Sequence, residues 1–477
     1  MSTTAPATSR RRLGLLVIAA AQFMVIMDTS IIGVALPKMQ ADLGFSPEGL
    51  SWVFNAYVVA FGGLLLLGGR LADLFGARRL FGIGWVVLLV GSVLAGAAGT
   101  AAWELAGRAV QGAGAALIAP AALTLLMMLF GSDPKELTKA LALYGAAAPA
   151  GGTAGVFLGG VITEYLSWPW VFYLNVPIAL LILAVIPTVM PAGGQRRGSV
   201  DALGAITVTA GLALAVYGIV RAPEAGWSAP ETLLALGAAI VLLAAFVAIQ
   251  ARRREPLVRL GIFRTPNLAA ANIAQLLLGA AWIPMWFFLN LYLQQVLGYT
   301  AFPSGAALLP MTIVIMIGMI ALAPRLIGRF GPKALTVSGL VLLAAGMGWL
   351  ALVRADGSFW VDVLPASIVA ALGMSLAFIP TLGTALSAAR PEEGGLASGI
   401  VNTSYQVGSA LGLAAITALA TMQGADALGD PVRLTGGYSA AFVGAAVIAL
   451  AGAVLAAVTL RSARPAAERT EPADAAR

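Results

Sequence analysis

Gly68-Gly69-Arg70-Leu71-Ala72-Asp73-Leu74-Phe75-Gly76-Ala77-Arg78-Arg79 joins two apolar stretches, and Arg325-Leu326-Ile327-Gly328-Arg329-Phe330-Gly331-Pro332-Lys333 joins two others. Arg-Leu, Phe-Gly and the closing cation align at a constant offset of 255 residues. Glycines allow the chain to turn sharply, and clustered cations mark short loops kept on one side of a bilayer. Asp73 in the first loop can pair with Arg78 or meet the positive N-terminal end of a helix. A duplicated half of this kind is a hallmark of folds that move solutes across membranes.

Composition agrees. The 477 residues are 60% hydrophobic and 10% charged, with a mean hydropathy of +0.92. Soluble chains carry about 25% charge, so this one needs lipid as solvent. Spans of about 20 apolar residues cross a bilayer, and the sequence predicts fourteen: near 13–36, 50–68, 80–99, 103–129, 138–163, 169–190, 201–221, 231–250, 267–292, 304–324, 333–353, 361–386, 395–422 and 437–461. With that ladder, 23 of the 28 Lys and Arg fall in loops on one face, four on the other, and Arg108 lies within a span. The cationic face is the cytoplasmic one by the positive-inside rule, and an even number of crossings puts both termini there. Arg10, Arg11 and Arg12 before the first span resemble a signal peptide, but the apolar run is too long and holds Asp28, so it reads as an uncleaved helix.

The offset covers eight spans rather than six. The expectation is therefore an all-α polytopic membrane protein with a six-helix bundle over 13–190, two inserted linker helices over 201–250, a second six-helix bundle over 267–461 and a disordered cytoplasmic tail over 462–477. The basic balance (pI ≈ 9.9) does not indicate a nucleic-acid partner, because the cations sit in loops between spans and form no basic face. The chain has no Cys and no His. That removes thiol nucleophiles, imidazole bases and the usual metal sites. No cofactor or metal is expected, and no constellation of residues suggests an enzyme.

Asp28, in Met27-Asp28-Thr29-Ser30-Ile31-Ile32-Gly33-Val34-Ala35-Leu36-Pro37, lies roughly two turns from the outer end of the first span. A charge so deep in lipid costs about 2.5–3.5 kcal/mol on insertion scales, so it is a functional candidate. In a water-filled cavity such a carboxyl can carry a proton; otherwise it hydrogen-bonds a neighbouring helix. Arg108, in Gly107-Arg108-Ala109-Val110-Gln111-Gly112-Ala113-Gly114, either snorkels toward the interface or faces a cavity and tunes a carboxylate, with Gln111 one turn along the same side. Gly151, Gly155 and Gly159, beside Gly152 and Gly160, have the spacing that lets helices approach closely, and Ser404, Gly408 and Gly412 echo it. Trp282, Trp286, Asn290, Asn402 and Gln406, with Asn272 and Gln275, either face a cavity that takes amphipathic ligands or serve as interface aromatics and interhelical amides.

At these motifs the chain resembles the major facilitator superfamily, and specifically its fourteen-helix drug:proton antiporter branch, over nearly its whole length. The stretch from Asp28 to Pro37 looks like that branch's first-helix signature, and Gly69 to Arg79 like the superfamily's inside-loop motif. Arg108 to Gly114 resembles the fourth-helix motif. Gly151 to Gly160, followed by Trp168-Pro169-Trp170-Val171-Phe172-Tyr173-Leu174-Asn175-Val176-Pro177, resembles the fifth-helix antiporter motif and the start of helix 6. The resemblance implies alternating access driven by a proton gradient, with Asp28 and Arg108 in coupling. It also implies a conformational latch in the loop of Gly69, Asp73, Gly76 and Arg78. From the residues themselves, helix packing is expected at Gly151, Gly155, Gly159 and Gly160, and substrate contact at Gln111, Trp282, Trp286, Asn290, Asn402 and Gln406. Two positions depart from the pattern: Val156 stands where the fifth-helix motif has proline, and Gly33 where the first often has asparagine.

The leading expectation is proton-coupled efflux of a hydrophobic small molecule, drug or natural product, across a bacterial plasma membrane by a monomer in contact with membrane lipids. Alternatives are export or flipping of a lipid in the same fold, a non-transporting sensor or scaffold, and solute uptake by symport. Later spans lack a central carboxylate, so the substrate is expected to be neutral, zwitterionic, monocationic or lipid-like rather than dicationic. Arg outnumbers Lys 24 to 4, which with abundant Ala and Gly suggests a high-GC bacterium exporting its own product.

Overall fold

A computed structural model describes residues 7–45, 52–192, 201–253, 256, 258–265, 267–389, 394–425, 427 and 429–461. The tail 462–477, most of the linker 191–200, and the cations Arg196, Arg197, Arg254, Arg390, Arg464, Arg469 and Arg477 lie outside the described residues.

Apolar segments fold as helices because lipid offers no partner for a bare backbone amide, and a helix satisfies its amides internally. The first half comprises α1 (Ala7–Ser30), α2 (Ile32–Leu43), α3 (Trp52–Phe75), α4 (Ala77–Gly96), α5 (Ala101–Phe130), α6 (Pro134–Tyr165), the short α7 (Trp170–Tyr173) and α8 (Asn175–Val189). Next come α9 (Ala202–Ala225) and α10 (Pro230–Arg252). The second half comprises α11 (Leu268–Leu291), α12 (Ala301–Ala307), α13 (Leu309–Ile317), α14 (Ala323–Leu350), α15 (Leu364–Ala388), α16 (Gly394–Met422) and α17 (Pro431–Thr459). No strand occurs among the described residues.

Caps set several starts. Asp133 accepts from the amides of Lys135 (2.8 Å) and Glu136 (3.4 Å) at the head of α6, and Asp430 accepts from Val432 and Arg433 at 3.1 Å each at the head of α17. In both helices the next residue is proline, whose missing N–H costs nothing at a first turn.

Twelve helices among the described residues are long and apolar enough to cross a membrane. The expected crossings near 304–324 and 333–353 lie in one 48-residue helical run, Pro303–Leu350. Gly331 within it is non-helical (φ 80°, ψ 163°) and divides the run into two helices, one for each expected crossing. The apolar part of α9, Leu203–Ile219, is shorter than the other spans.

Gly331 corresponds to Gly76 at the offset of 255 residues, and Gly76 also takes a positive φ of 89° between α3 and α4. The repeat therefore extends to the backbone. It continues in the helices: Gly84 and Gly91 pack α4 against the backbone of α5, and Gly339 and Gly346, each 255 residues on, pack α14 against the backbone of α15. Partner choice repeats as well. The pairs α1 with α6, α4 with α5 and α3 with α5 are matched by α11 with α16, α14 with α15 and α13 with α15. The halves meet where α16 packs on α3 and α5, and where α6 packs on α12, α13 and α15. The α9–α10 hairpin leans on α3 and α16 together. Asp201, buried at the head of α9, receives Gln250 (2.8 Å) and Arg253 (3.0 Å) from the end of α10 and ties these two helix ends together.

Candidate functional site

Asp28 is 1% exposed and Arg108 fully enclosed. Their helices cross so that Arg108 Nη1 lies 2.8 Å from Asp28 Oδ2. The approach of α1 to α6 that positions Asp28 is set by glycine. A Cβ added at Gly151 would meet the carbonyl of Phe23 at 2.3 Å, one at Gly155 the carbonyl of Met27 at 2.8 Å, and one at Gly159 the carbonyl of Ile31 at 2.7 Å. Gly160, expected in the same contact, has no neighbour within 4 Å of an added Cβ; at one residue past the i, i+4, i+8 stripe it faces another direction. Gly408 and Gly412 of α16 meet the carbonyls of Leu276 and Ala280 in α11 in the same way.

Five elements supply polar groups. Asp28 Oδ1 also accepts from Asn175 Nδ2 of α8 (2.7 Å) and from Gln111 Nε2 of α5 (3.2 Å). Arg108 Nη1 donates to Gln111 Oε1 (2.8 Å), and Arg108 Nε to the carbonyl of Val53 in α3 (2.9 Å). Ser92 Oγ of α4 accepts from Gln111 (2.8 Å) and Asn175 (3.2 Å). The guanidinium lies over the Tyr57 ring, 4.6 Å from its centroid, an attraction that strengthens when water is excluded. Asp28 and Arg108 thus form a neutral pair inside a shell of amide, hydroxyl and ring partners, the arrangement that makes a buried charge tolerable.

Gln111, expected to contact substrate, is fully buried with both its oxygen and its nitrogen engaged by this cluster. Tyr57, Ser92, Asn175 and the fully buried Glu104 did not stand out as site residues in the sequence. Asn175 lies in the quoted start of helix 6, and Ser92 and Glu104 are polar residues on apolar helices, a weak signal in each case.

The loop between α3 and α4 meets the other half. Asp73 Oδ2 accepts from the backbone amide of Leu396 (3.0 Å) in the first turn of α16. Of the two partners considered, this is the helix N-terminus, where free amides and the helix dipole favour a negative charge. Arg78 donates to the carbonyl of Met190 (3.4 Å). Gly399 of α16 comes close to Gly69: a Cβ added at Gly399 would stand 3.4 Å from the Gly69 Cα. Higher up, Thr153 of α6 and Thr312 of α13 share a buried hydrogen bond of 2.6 Å across the halves. Val156, at the expected proline position, packs on Gly305 of α12; α6 has its proline at Pro149.

The remaining expected substrate residues are not drawn together into one set of contacts. Trp282 is buried in the main apolar core and Trp286 packs against it. Asn290 accepts from Ser304 Oγ (2.6 Å) and Gln294 Nε2 (3.0 Å). Asn402 donates to the carbonyl of Ser398 one turn back (2.9 Å), and Gln406 is half-buried one turn further on. Asn272 bonds across helices, accepting from Ser404 at 3.2 Å.

Residues 18–413 match the profile of the Major Facilitator Superfamily. The chain belongs to that superfamily. Among superfamily members it is 40% identical over 452 residues to the cephamycin export protein of Amycolatopsis lactamdurans, covering 94% of this chain and 92% of that one. It is 37% identical to the puromycin resistance protein of Streptomyces alboniger, covering 97% and 93%. In fold it is similar to the human organic anion transporter TETRAN, with a TM-score of 0.68 at 16% identity over 94% of this chain and 99% of that one. The proton:xylose symporter XylE gives 0.66 at 15% identity over 94% and 95%. The protein is a multi-pass membrane transporter and not an enzyme.

Proposed function

We propose that this transporter exports hydrophobic drugs or natural products across a bacterial plasma membrane in exchange for protons. The buried Asp28–Arg108 pair carries the reading, because an ion pair placed in a membrane interior is costly and is kept for use. With Asp28 ionised, Arg108 holds α5 to α1. Protonation of Asp28 cancels that attraction and loosens the two helices, so proton uptake is felt as a change in packing. The similarity to antibiotic export and resistance proteins supports a drug-like cargo.

In this reading the chain crosses the membrane fourteen times with both termini in the cytoplasm and works as a monomer. The bundles 13–190 and 267–461 rock about the faces of α3 with α16 and α6 with α13. The inserted pair 201–250 rides beside them. Asp73 holds the cytoplasmic ends of the bundles together while the outer side is open. Cargo contacts involve Trp282, Trp286, Asn290, Asn402 and Gln406. No acid stands in the middle of a helix among the described residues of 268–459, and Asp362 at the start of the α15 span is paired with Arg354 at 2.8 Å, which favours cargo that is not dicationic. Tight binding of a dicationic dye, unaffected by Asp28→Asn, would sink that restriction.

Purified protein in liposomes, given a panel of lipophilic drugs, tests the whole. Drug-dependent proton movement in the wild type that vanishes in Asp28→Asn is expected. Drug binding with no proton movement in the wild type sinks the antiport.

A further inference from the structure

Four acids are buried among the described residues: Asp28, Glu104, Asp201 and Asp362. Three have partners: Arg108 for Asp28, Gln250 and Arg253 for Asp201, and Arg354 for Asp362. Glu104 is fully enclosed, and neither of its carboxyl oxygens has a hydrogen-bond partner among the described residues. A carboxylate left bare in such a place is costly, whereas the neutral acid is tolerated far better.

Glu104 precedes Arg108 by four residues on α5, so the two side chains share a face one turn apart. Arg108 Nε and Nη1 are engaged, but Nη2 is buried without a hydrogen-bond partner among the described residues. A bare donor and two bare acceptors thus stand on adjacent turns of one helix. The charges that bear on Glu104 are Arg108, on its own helix, and Asp28, from α1. Ser92 of α4 and Asn175 of α8 bring no charge to the cluster, and Tyr57 of α3 is the other titratable group at the guanidinium.

We propose that Glu104 is a second proton-carrying carboxyl, and that Arg108 changes partners between Asp28 and Glu104 as one proton passes between them. The inference rests on the proton-coupled reading above. In the arrangement described, Asp28 is ionised and paired while Glu104 holds the proton. The O–H bond at Glu104 breaks and one forms at Asp28. The guanidinium follows the negative charge by one turn, offering Nη2 to Glu104. One cation, one anion and one neutral acid are present before and after, so the membrane interior never holds a lone charge, the condition that makes breaking a buried pair so unfavourable. Glu104 lies in the first turn of α5, which in the proposed orientation faces outside, the side from which driven protons arrive.

The test uses the full chain in liposomes with a lipophilic drug. It measures proton-driven transport and drug–drug exchange separately in wild type, Glu104→Gln and Glu104→Asp. Gln keeps the shape of the neutral acid and cannot release a proton. Proton-driven transport by Glu104→Gln is expected to fall about 10²-fold, the scale of losing a proton-transfer group, while exchange is retained and Glu104→Asp restores drive. Wild-type drive in Glu104→Gln overturns the relay, and so does equal loss of drive and exchange, which is the mark of a structural role. Should Glu104→Gln not fold, Glu104→Asp is read alone. A displaced pH profile of transport is then expected, and an unchanged profile overturns the relay. A wild type that moves no protons with drug sinks the antiport reading and this one together. A coupled wild type beside a fully coupled Glu104→Gln sinks this one alone.

Discussion

Replacing Asp28 by asparagine leaves Arg108 enclosed without its paired carboxylate, held by the Val53 carbonyl, Gln111 and the Tyr57 and Phe172 rings. Breaking a buried pair from one side costs about 3–5 kcal/mol, so a clear fall in melting temperature in detergent is expected. Removing both charges, as Asp28→Asn with Arg108→Gln, should recover most of that loss while transport stays absent; a double variant no more stable than the single one would contradict this account of the pair. Arg108→Lys should also fail in transport, because an ammonium cannot reach Val53, Asp28 and Gln111 at once from a planar fork. How far this site can be read from sequence follows from where its atoms come from. Asp28 and Arg108 are legible because a charge in an apolar run is an anomaly in itself. Ser92, Tyr57 and Asn175 look like ordinary small or interfacial residues, and only the crossing of α3, α4, α5 and α8 gives them a task. Gln111 is visible as polar, but its direction depends on that same crossing.

Several helix contacts in this protein, α1 with α6 and α11 with α16 among them, are set by backbone touching backbone. Gly155→Leu would drive a side chain into the carbonyl of Met27, which stands 2.8 Å from where even a Cβ would be. Since Met27 precedes Asp28, the substitution should both destabilise the protein, by about 1–3 kcal/mol for overpacking, and uncouple proton movement from drug movement. Gly160→Ala, with open space around it, should leave melting temperature and transport unchanged; matching losses at both positions would remove the packing argument. The spacing of Gly151, Gly155 and Gly159 is legible because a stripe of small residues has few other uses in lipid. Helix boundaries are less so. The break between two expected crossings at Gly331 becomes clear only beside its counterpart Gly76, since a positive φ leaves no mark on composition beyond the glycine itself.

At the scale of the whole molecule, the two halves are held by a few specific ties that a transport cycle has to make and release. Asp73→Ala removes a charge from the head of α16, an interaction of about 0.3–1 kcal/mol, so the ratio of the two facing states should shift roughly two- to fivefold toward the cytoplasm-open one. The chain has no cysteine, so a single Asn402→Cys reports this as faster thiol labelling from the cytoplasmic side; unchanged labelling would rule the tie out as a latch. Thr153→Cys with Thr312→Cys places two thiols where hydroxyls now sit 2.6 Å apart, and oxidation should halt transport until a reductant is added. Full transport by a verified cross-link would mean that this face does not separate. The internal repeat is legible from a nine-residue loop, but which helices face one another mostly is not, because in most spans apolar residues lie on every side and few polar residues mark a face.

The seat of the α9–α10 hairpin has a mechanical consequence. Its α9 is pressed close to α3, where Gly63 meets Ala213 and Thr209 and the Trp52 and Tyr217 rings lie tilted with centroids 5.2 Å apart. Toward α16 it shares an apolar cluster that includes Leu66, Val208, Leu212, Phe246, Leu396 and Ile400. The grip on α3 is shaped and close, while Leu396 and Ile400 bring only oily side chains. In the proposed rocking, such a joint acts like a shaft in a greased bearing: the hairpin stays with one housing while the other slides over hydrocarbon, and friction stays low because the Leu396 and Ile400 side chains carry no hydrogen-bonding group to shear.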